Sequence, residues 1–415
     1  MNKLIFTKLR GRTVSVLASE KRVLQMEFEG EEAAEQIGTI YIGKVRNVVK
    51  NLNAAFVEYK PGVNGYYSQN DNRVHVFADG TCSDRPLKSG DEILVQIARA
   101  AVKTKDAVLS GELNLTGRYA AVTNNGEKFG ISAKIRDKKW REAFKTQWEA
   151  LKAAGSAPEC GVIIRTNAYE AAFDEVSVEV KVLSEKLDKI CRDAAFRTPH
   201  SVLYKPDSFA SAAVRDMRMN DTAEVVTDIP EIYEELKSCG LAFREDAACA
   251  AETAASAPTL RFYEDSYPLA ALYHLESSLE RATGKNVWLK SGGYLVIEPT
   301  EAMTVIDVNT GKNVDKKSPE DTYFKTNMEA AAEIAAQMRL RNLSGIIIVD
   351  FIDMTDENHN AELLAAFRQY LAADPVKTTL VDMTALGLVE VTRKKIKRPL
   401  HEQLRGITGN ISQNY

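Results

Sequence analysis

The chain contains little cysteine, no long apolar run and no excess of one charge. Five cysteines are scattered along its 415 residues: Cys82, Cys160, Cys191, Cys239 and Cys249. They are odd in number and form no Cys-x-x-Cys pair, so the sequence favours reduced thiols in a cytoplasm and argues against a structural zinc site. The net charge is only −4, so any polyanionic partner must be held by local patches or by metal ions.

The sequence also argues against a membrane protein and against an enzyme with a Walker-type phosphate-binding loop. No stretch approaches the ~18 apolar residues of a transmembrane helix, and the apolar start of the chain is too short and too soon interrupted for a secretory signal. No glycine-rich Walker-type loop supports a phosphatase or nucleotide hydrolase. The composition, 45% hydrophobic and 27% charged, is that of a soluble globular protein, and the length is sufficient for roughly two to four domains.

The most informative pattern is a pair of short apolar runs that each end in aspartate, Asp307 and Asp350. An amphipathic helix pattern lies between them, with Pro319 suited to the first helical position. Strand, helix and strand in this order form a parallel crossover, whose strands usually lie side by side. Because adjacent strands are about 4.8 Å apart, both carboxylates should meet at the carboxyl edge of a sheet, where ligands bind.

Two carboxylates at that separation repel each other unless a cation or a shared proton lies between them. Mg²⁺ suits such a pair, because it takes one or two carboxylates together with waters and substrate phosphate. Strand alternation places Asn309 on the same side as Asp307, where its amide could orient a ligand or a water. The alternative is a structural pair, in which each aspartate caps a helix or binds a lysine. Asp353 is interpreted as a cap of the following turn.

A divalent ion on two carboxylates is suited to phosphodiester hydrolysis, because it polarises a phosphoryl oxygen and lowers the pKa of a bound water. Several basic residues in or near this unit could hold the rest of a polyanion: Lys312, Lys316, Lys317, Lys325 and Arg341. Taken individually, each of them is more typical of a solvated surface charge. The strands are apolar and β-branched on both faces, which predicts a sheet covered by helices on each side.

The first third of the chain predicts a small β-barrel. Five short strands are expected at 38–49, 54–59, 65–67, 92–97 and 107–109, separated by glycine-rich turns, as in oligonucleotide-binding barrels. Aromatic and basic residues lie on or close to these strands: Phe56, Tyr59, Tyr66, Tyr67, Lys44, Arg46, Lys103 and Lys105. Aromatic faces with cations bind single-stranded nucleic acid; the alternative is that these rings only pack the strands.

A third candidate is Arg165-Thr166, which follows a predicted strand at 161–164. An arginine beside a hydroxyl at a strand end can hold a terminal phosphate through charge-assisted hydrogen bonds. On its own this pattern is more typical of a surface arginine than of a phosphate site.

Several segments resemble the bacterial ribonuclease E/G family. They are residues 287–302, 305–311, 324–331, 339–345 and 350–354, and residues 386–394 are most similar to the ribonuclease G branch of that family. The resemblance is dense over 286–399 and weaker over most of the remaining chain. It implies a magnesium-dependent endoribonuclease that cuts single-stranded RNA to 5′-phosphate and 3′-hydroxyl ends and is stimulated by a substrate 5′-monophosphate.

The resemblance also implies an α/β multidomain fold, in which an OB-fold barrel is inserted in an RNase H-like domain and a DNase I-like catalytic domain follows. The boundaries expected are a first RNase H-like segment at 1–35, the OB-fold RNA-binding barrel at 36–118, a 5′-phosphate sensor at 119–200, a second RNase H-like segment at 201–285, the catalytic domain at 286–400 and a tail at 401–415.

Individual residues match the functional positions of the family. Asp307 and Asp350 match its magnesium-binding aspartates, and Asn309 matches the asparagine that assists them. The RNA-contacting barrel positions correspond to Phe56, Tyr66 and Lys105, with Tyr66 where a phenylalanine is familiar. The pocket for a 5′-monophosphate corresponds to Gly130, Arg165 and Thr166.

One feature departs from the family pattern. The basic stretch is usually followed by a Cys-x-x-Cys zinc link, and no cysteine follows it here. A homo-oligomer, if one forms, is therefore not expected to use a cysteine-based zinc link. The alternative function is a non-catalytic protein that binds single-stranded RNA and retains a vestigial metal site.

Overall fold

The chain forms two compact units, one of which is inserted in the other. The computed structural model describes residues 2–30, 36–101, 106–126, 128–217, 221–239, 243, 258–311 and 319–404. The split unit is built from Met1–Gly30 and Met219–Tyr415, and the inserted unit from Glu31–Arg218. Lys105, Lys103 and the lysines at 312, 316 and 317 lie outside the described residues.

The strands, in chain order, are β1 Asn2–Leu9, β2 Arg12–Ala18, β3 Val23–Phe28, β4 Ile40–Val49, β5 Ala54–Lys60, β6 Val63–Ser68, β7 His75–Val76, β8 Cys82–Ser83, β9 Glu92–Arg99, β10 Ala107–Ser110, β11 Asn114–Thr116, β12 Ala120–Thr123, β13 Phe129–Ile131, β14 Gly161–Ile164, β15 Val202–Tyr204, β16 Thr222–Thr227, β17 Thr259–Phe262, β18 Asn286–Trp288, β19 Tyr294–Pro299, β20 Met303–Asn309, β21 Gly345–Asp350, β22 Thr378–Met383 and β23 Val389–Arg393.

The helices are α1 Lys138–Ala153, α2 Phe173–Asp193, α3 Phe209–Asp216, α4 Pro230–Ser238, α5 Leu269–Leu272, α6 Leu275–Thr283, α7 Pro319–Leu340, α8 Glu357–Ala372 and α9 Leu400–Gln403. Short 3₁₀ helices occur at Lys50–Leu52, Thr166–Glu170 and Ala194–Phe196.

The inserted unit contains a closed five-stranded barrel. Its strands follow the order β4-β5-β6-β10-β9, and pairing of β4 with β9 closes the ring. Glycine is required where the wall is tight, because a Cβ at Gly65 would lie 2.6 Å from Leu109 and one at Gly43 would lie 2.5 Å from Val57. The five strands predicted from the sequence are confirmed, and the barrel is consistent with an OB-like fold.

The second sheet of the inserted unit carries the predicted phosphate-binding residues. Its order is β11-β12-β14-β13, with β13 parallel to β14. Helix α2 packs its buried residues, including Val176 and Val180, into the same core as this sheet. Ile164, the last residue of β14, is therefore packed in the same core as helix α2.

The split unit contains two sheets. The first has the order β17-β16-β1-β2-β3, so β1 from the start of the chain pairs in parallel with β16, which follows the inserted unit. The second has the order β18-β19-β20-β21-β23-β22, in which β20 and β21 are parallel neighbours. Helix α7 connects these two strands, so the predicted strand–helix–strand crossover is confirmed.

In the described segments, one face of this second sheet is packed into a core and the opposite face is largely exposed. Alternate residues such as Ile306, Val308 and Ile347 are buried against α7 and α8. On the opposite face Ile346 is 49% exposed and Val381 is 53% exposed. The prediction of a sheet covered on both sides is therefore wrong. β-Branched residues stabilise an exposed strand face through cross-strand contacts as well as a buried one.

A buried ion pair fixes the far side of the same sheet. The Arg393 guanidinium donates to the Asp374 carboxylate, with 2.7 Å between Nε and Oδ2, and both side chains are 3% exposed. Arg393 also donates to the Asn342 side chain and the Leu343 carbonyl. Burial with several hydrogen bonds makes the loss of either partner costly, because the other charge would remain unpaired.

We therefore expect Asp374→Ala to lower the opening free energy of β22 and β23 by about 3–5 kcal/mol. Native-state hydrogen exchange on the full chain measures this quantity for peptides of the two strands. Glu298→Ala is the matched control, because Glu298 pairs with Lys285 in the same sheet but is 54% exposed; it should leave exchange of the two strands unchanged. Equal protection in Asp374→Ala and the wild type would contradict the prediction.

Candidate active site

Two aspartates are brought together at the carboxyl end of the parallel pair. Asp307 on β20 lies directly opposite Asp350 on β21 in the strand register. Their Cα atoms are therefore separated by about one strand spacing, ~4.8 Å. Both belong to the face of the sheet that is not packed in a core, because the alternate residues Val308 and Val349 are buried. The carboxylates thus lie where a ligand can reach them.

Among the residues that the structure describes, no basic side chain neutralises the negative charge at this edge. Burial and, next, the nearby carboxylates of Asp307 and Asp353 raise the pKa of Asp350 above its ordinary value. Asn309 donates from Nδ2 to Oδ2 of Asp307 at 2.8 Å. Within the described part of the chain, no lysine, arginine or histidine is paired with Asp307 or Asp350. The interpretation as a structural pair bound to a lysine therefore has no support in the described residues.

The segment after Asp350 is fixed by helix α7. Asn327 is fully buried, donates to the Ile352 carbonyl at 2.8 Å and accepts from the Ile352 amide at 3.0 Å. Glu320, in the first turn of α7, accepts from the Thr355 and Asp356 amides. Sequence reasoning missed both residues. The available signal was an asparagine in the middle of the helix, on a buried face that is mostly apolar but also contains Thr326 and Gln337.

The role predicted for Asp353 is wrong. Asp356, not Asp353, caps the following helix α8, because its side chain accepts from the Asn358 amide at 2.8 Å. Asp353 is exposed and contributes to the negative potential at Asp350. It is thus part of the charged edge rather than of a turn.

The donor set at this edge fits a hard divalent cation. Two carboxylates and one amide oxygen are the ligand types that Mg²⁺ accepts, with waters or phosphate oxygens in the remaining positions. No group of three or more His, Cys, Asp or Glu side chains suited to a metal occurs within the described residues. A closed, all-protein cage is therefore not present there, and a metal at this edge would keep open positions.

The barrel residues divide into exposed and buried sets. Phe56 and Tyr66 are directly opposite on β5 and β6, half-buried, with ring centroids 6.3 Å apart. Tyr59 and Tyr67 are fully buried in the barrel core, so the interpretation of these two as base-stacking residues is wrong. Strand alternation points them inward, where the Tyr67 hydroxyl hydrogen-bonds to His75. Only Phe56 and Tyr66 of this set offer a ring edge to solvent.

Arg165 and Thr166 lie at the end of β14, next to the strand that contains Gly130. Gly130 pairs with Ile163, and a Cβ at Gly130 would meet no atom within 4 Å. The Thr166 hydroxyl is 3.1 Å from the Ser132 hydroxyl. The three predicted residues therefore lie around one short strand pair.

Hydrogen bonds to neighbouring residues orient the Arg165 guanidinium. It donates to the Asp216 carboxylate at 2.8 Å and to the Gly117 carbonyl. Burial alone would raise the pKa of Asp216, but Arg215 and Arg165 lower it below its ordinary value. A cavity beside Thr166 is lined by two basic residues, Lys134 and Arg136, and by two acidic ones, Asp137 and Glu170. The arginine is thus oriented rather than loose on the surface.

The sequence of the whole chain matches known ribonucleases. A model of the Ribonuclease E/G family matches residues 114–396, more than half of the chain. The chain belongs to the ribonuclease E/G family. The match to the family model includes Asp307, Asn309 and Asp350, as well as Arg165, whereas the barrel strands β4–β10 precede it.

Relatives in this family extend the likeness to the barrel. Ribonuclease G of Escherichia coli (strain K12) is 31% identical over 409 residues, which cover 94% of this chain and 81% of the relative. Ribonuclease E of Nostoc sp. (strain PCC 7120) is 32% identical over 372 residues, which cover 88% of this chain and 52% of the relative. Ribonuclease E of Haemophilus influenzae is 29% identical over 411 residues, which cover 96% of this chain and 43% of the relative.

The raised pKa of Asp350 has a consequence for stability. Between the ordinary value of 3.8 and the raised value, the folded chain binds more protons than the unfolded chain. Stability therefore falls as the pH rises through that window. At about pH 7 in metal-free buffer, Asp350→Asn should therefore melt at a higher temperature than the wild type. The difference should vanish at about pH 3, where an ordinary aspartate is protonated in both states.

Thermal melts in EDTA at both pH values check this expectation. Glu390→Gln is the control, because Glu390 lies on the neighbouring strand β23 and the same face but is not among the charges that act on Asp350. It should give no comparable gain. A lower melting temperature for Asp350→Asn at neutral pH would show that the Asp350 carboxylate is not electrostatically strained.

Proposed function

We propose that this protein is a magnesium-dependent endoribonuclease that cleaves single-stranded RNA to 5′-phosphate and 3′-hydroxyl products. The observation that supports the proposal most is the opposed pair Asp307 and Asp350, uncompensated within the described residues, in a chain that belongs to the ribonuclease E/G family. Relatives named ribonuclease G and ribonuclease E align with nearly the whole chain. The proposed work is RNA processing and decay in the cytoplasm.

The chain's own residues have distinct tasks in this proposal. Asp307 and Asp350 would hold Mg²⁺, and Asn309, which donates to Asp307, would keep that carboxylate oriented. The ion, when bound, supplies polarisation of a phosphoryl oxygen and activation of a water. Asn327 and Glu320 keep the chain beyond Asp350 in place. The exposed edge leaves room for an unpaired RNA strand to approach.

We also propose the domain types that the resemblance to the family implies. The split unit would comprise an RNase H-like region, around β1–β3 and β16–β17, and a DNase I-like region, around β18–β23. The barrel would bind RNA through Phe56, Tyr66 and Lys105, of which Lys105 lies outside the described residues. None of the helices in the described segments is long and apolar enough to span a bilayer.

Removal of one carboxylate should abolish most of the cleavage. Asp307→Asn or Asp350→Asn should lower kcat/KM on a 5′-phosphorylated single-stranded RNA by roughly 10²- to 10³-fold, the scale for one electrostatic group at a reacting centre. Asn309→Ala should cost roughly 10- to 100-fold, as expected for a residue that orients a metal ligand. The measurement is cleavage with titrated Mg²⁺, and Glu390→Gln, on the same face, is the matched control.

Two results would count against the assignment. Full-rate cleavage by either aspartate variant would remove the metal site from the mechanism. Binding of RNA that persists in EDTA, with no product at any Mg²⁺ concentration, would favour the non-catalytic RNA-binding alternative.

We also propose that Gly130, Arg165 and Thr166 bind the 5′-monophosphate of the substrate. Support comes from the oriented guanidinium of Arg165, the hydroxyl of Thr166 and the cavity beside it, whose lining includes Lys134 and Arg136. A terminal phosphate carries more charge than an internal phosphodiester, so paired arginine and hydroxyl donors favour it. The open space at Gly130 would allow the phosphate to approach the backbone.

Arg165→Ala should reduce the preference for 5′-phosphate over 5′-hydroxyl RNA by about tenfold or more, the scale of a hydrogen bond to a charged group. Rates on the 5′-hydroxyl substrate should change little, which separates this role from folding. The control is Lys145→Ala, because Lys145 lies on α1, is 62% exposed and pairs with Glu149 of the same helix. An unchanged preference in Arg165→Ala would discard the pocket.

A further inference from the structure

A large aromatic residue is exposed on the same sheet face as the aspartates. Trp288, at the end of β18, is 72% exposed. Its cross-strand partner is Tyr294 on β19, and their ring centroids are 5.2 Å apart with an interplanar angle of 50°. Tyr294 is half-buried. The pair therefore forms a rigid aromatic surface, although its tryptophan contributes little to any core.

The strand register connects this surface to the candidate active site. Trp288 pairs with Tyr294, and Tyr294 pairs with Asn309, so the three residues form one row across neighbouring strands. The Cα atoms of Tyr294 and Trp288 thus lie about 5 Å and about 10 Å from that of Asn309. Asp307 is two residues before Asn309 on the same face. The aromatic pair is therefore at a distance suited to a nucleotide that neighbours a phosphate held at the aspartates.

The hairpin that carries the pair is fastened to the site. Glu329 of α7 accepts from the amides of Lys290 and Ser291, at 2.6 Å and 3.0 Å. Close packing excludes larger residues, because a Cβ at Gly293 would lie 2.7 Å from the Asn309 carbonyl oxygen and one at Gly311 would lie 2.2 Å from the Gly292 carbonyl oxygen. The position of the rings relative to Asn309 is thus set by backbone contacts.

Several features favour an RNA base as the occupant. Stacking on an aromatic face needs no positive charge, so it remains favourable beside two carboxylates, and an unpaired base offers such a face whatever its sequence. Lys290, in the turn between the two aromatic residues, is exposed and could contact backbone phosphate. A protein partner on this surface would cover the neighbouring aspartates and oppose their proposed use.

We propose that Trp288 and Tyr294 form a stacking platform for the base of a nucleotide next to the cleaved phosphate of single-stranded RNA. This inference rests on the proposed endoribonuclease function and adds a binding subsite on the catalytic sheet, separate from the barrel. The platform holds the strand across the sheet, so that the phosphate lies at Asp307 and Asp350.

The first test is kinetic. Trp288→Thr, which keeps a good strand-forming residue, should lower kcat/KM on single-stranded RNA by roughly 5- to 150-fold, the range for loss of one stacked base. Trp288→Phe should retain most of the rate, because phenylalanine still stacks. Tyr370→Ala is the control, since Tyr370 is an exposed aromatic residue on α8, which packs against the other side of the sheet; it should have no effect.

A substrate change separates stacking from a structural role. RNAs that carry one abasic nucleotide at successive positions around the cleaved bond should show a single position where the wild type loses rate. At that position the abasic change should cost Trp288→Thr nothing further, because both changes remove the same contact. Equal sensitivity in the two proteins would overturn the proposal.

The second test does not need catalysis. The chain has three tryptophans; Trp148 is 2% exposed and Trp140 stacks on Phe144. The RNA used carries a 5′-hydroxyl, because the proposed 5′-phosphate pocket lies close to Trp140. Added in EDTA, this single-stranded RNA should quench the wild-type fluorescence, and the quenching should disappear in Trp288→Phe. If it persists there, the platform is wrong even where cleavage is observed. If quenching is specific to Trp288 but no cleavage occurs with Mg²⁺, the proposed function fails and the RNA-binding surface remains.

Analytical ultracentrifugation of the same variants measures their association state and provides a further test of the platform. If Trp288→Thr changes the association state and leaves kcat/KM unaltered, the surface is an interface between copies of this chain and not a platform for a base.

Discussion

The arrangement of the sheet β18–β23 depends on one constraint, the repulsion between two carboxylates that the strand register places opposite each other. The parallel register of β20 and β21 leaves Asp307 and Asp350 no freedom to separate by sliding. Since both strands bury their alternate residues under α7 and α8, a slip of one residue would expose the core. Apolar packing thus maintains an electrostatically unfavourable arrangement, which a cation would relieve.

The surrounding polar contacts also hold the ends of β20 and β21 in place. Asn309 donates to the Asp307 carboxylate and Asn327 donates to the Ile352 carbonyl. Glu329 accepts from the Lys290 amide and so holds the hairpin that borders Asn309. All of these contacts converge on α7 or on the ends of β20 and β21. The crossover helix is therefore both the connection between the two strands and the support that orients the segments beyond them.

The sequence was sufficient to predict the features that local patterns determine. Apolar runs ending at Asp307 and Asp350 predicted the parallel pair, and glycine-rich turns predicted the five barrel strands. The side of a sheet on which each side chain lies was harder to predict, because it depends on the register between segments that are distant in the sequence. Tyr59 and Tyr67 carry the same strand propensity whether they point inward or outward, and Ile346 is β-branched although it is exposed. The row of Trp288, Tyr294 and Asn309 becomes visible only once three strands are paired.

The most direct test is the position of a bound cation. Crystals of the wild type soaked with Mn²⁺, an anomalous scatterer that accepts the same oxygen ligands as Mg²⁺, should show one strong anomalous peak between the carboxylates of Asp307 and Asp350, at about 2.1–2.2 Å from an oxygen of each. The peak should be absent in Asp350→Asn. A wild-type map with no peak there, or with the two carboxylates each bonded to a basic side chain, would contradict the account.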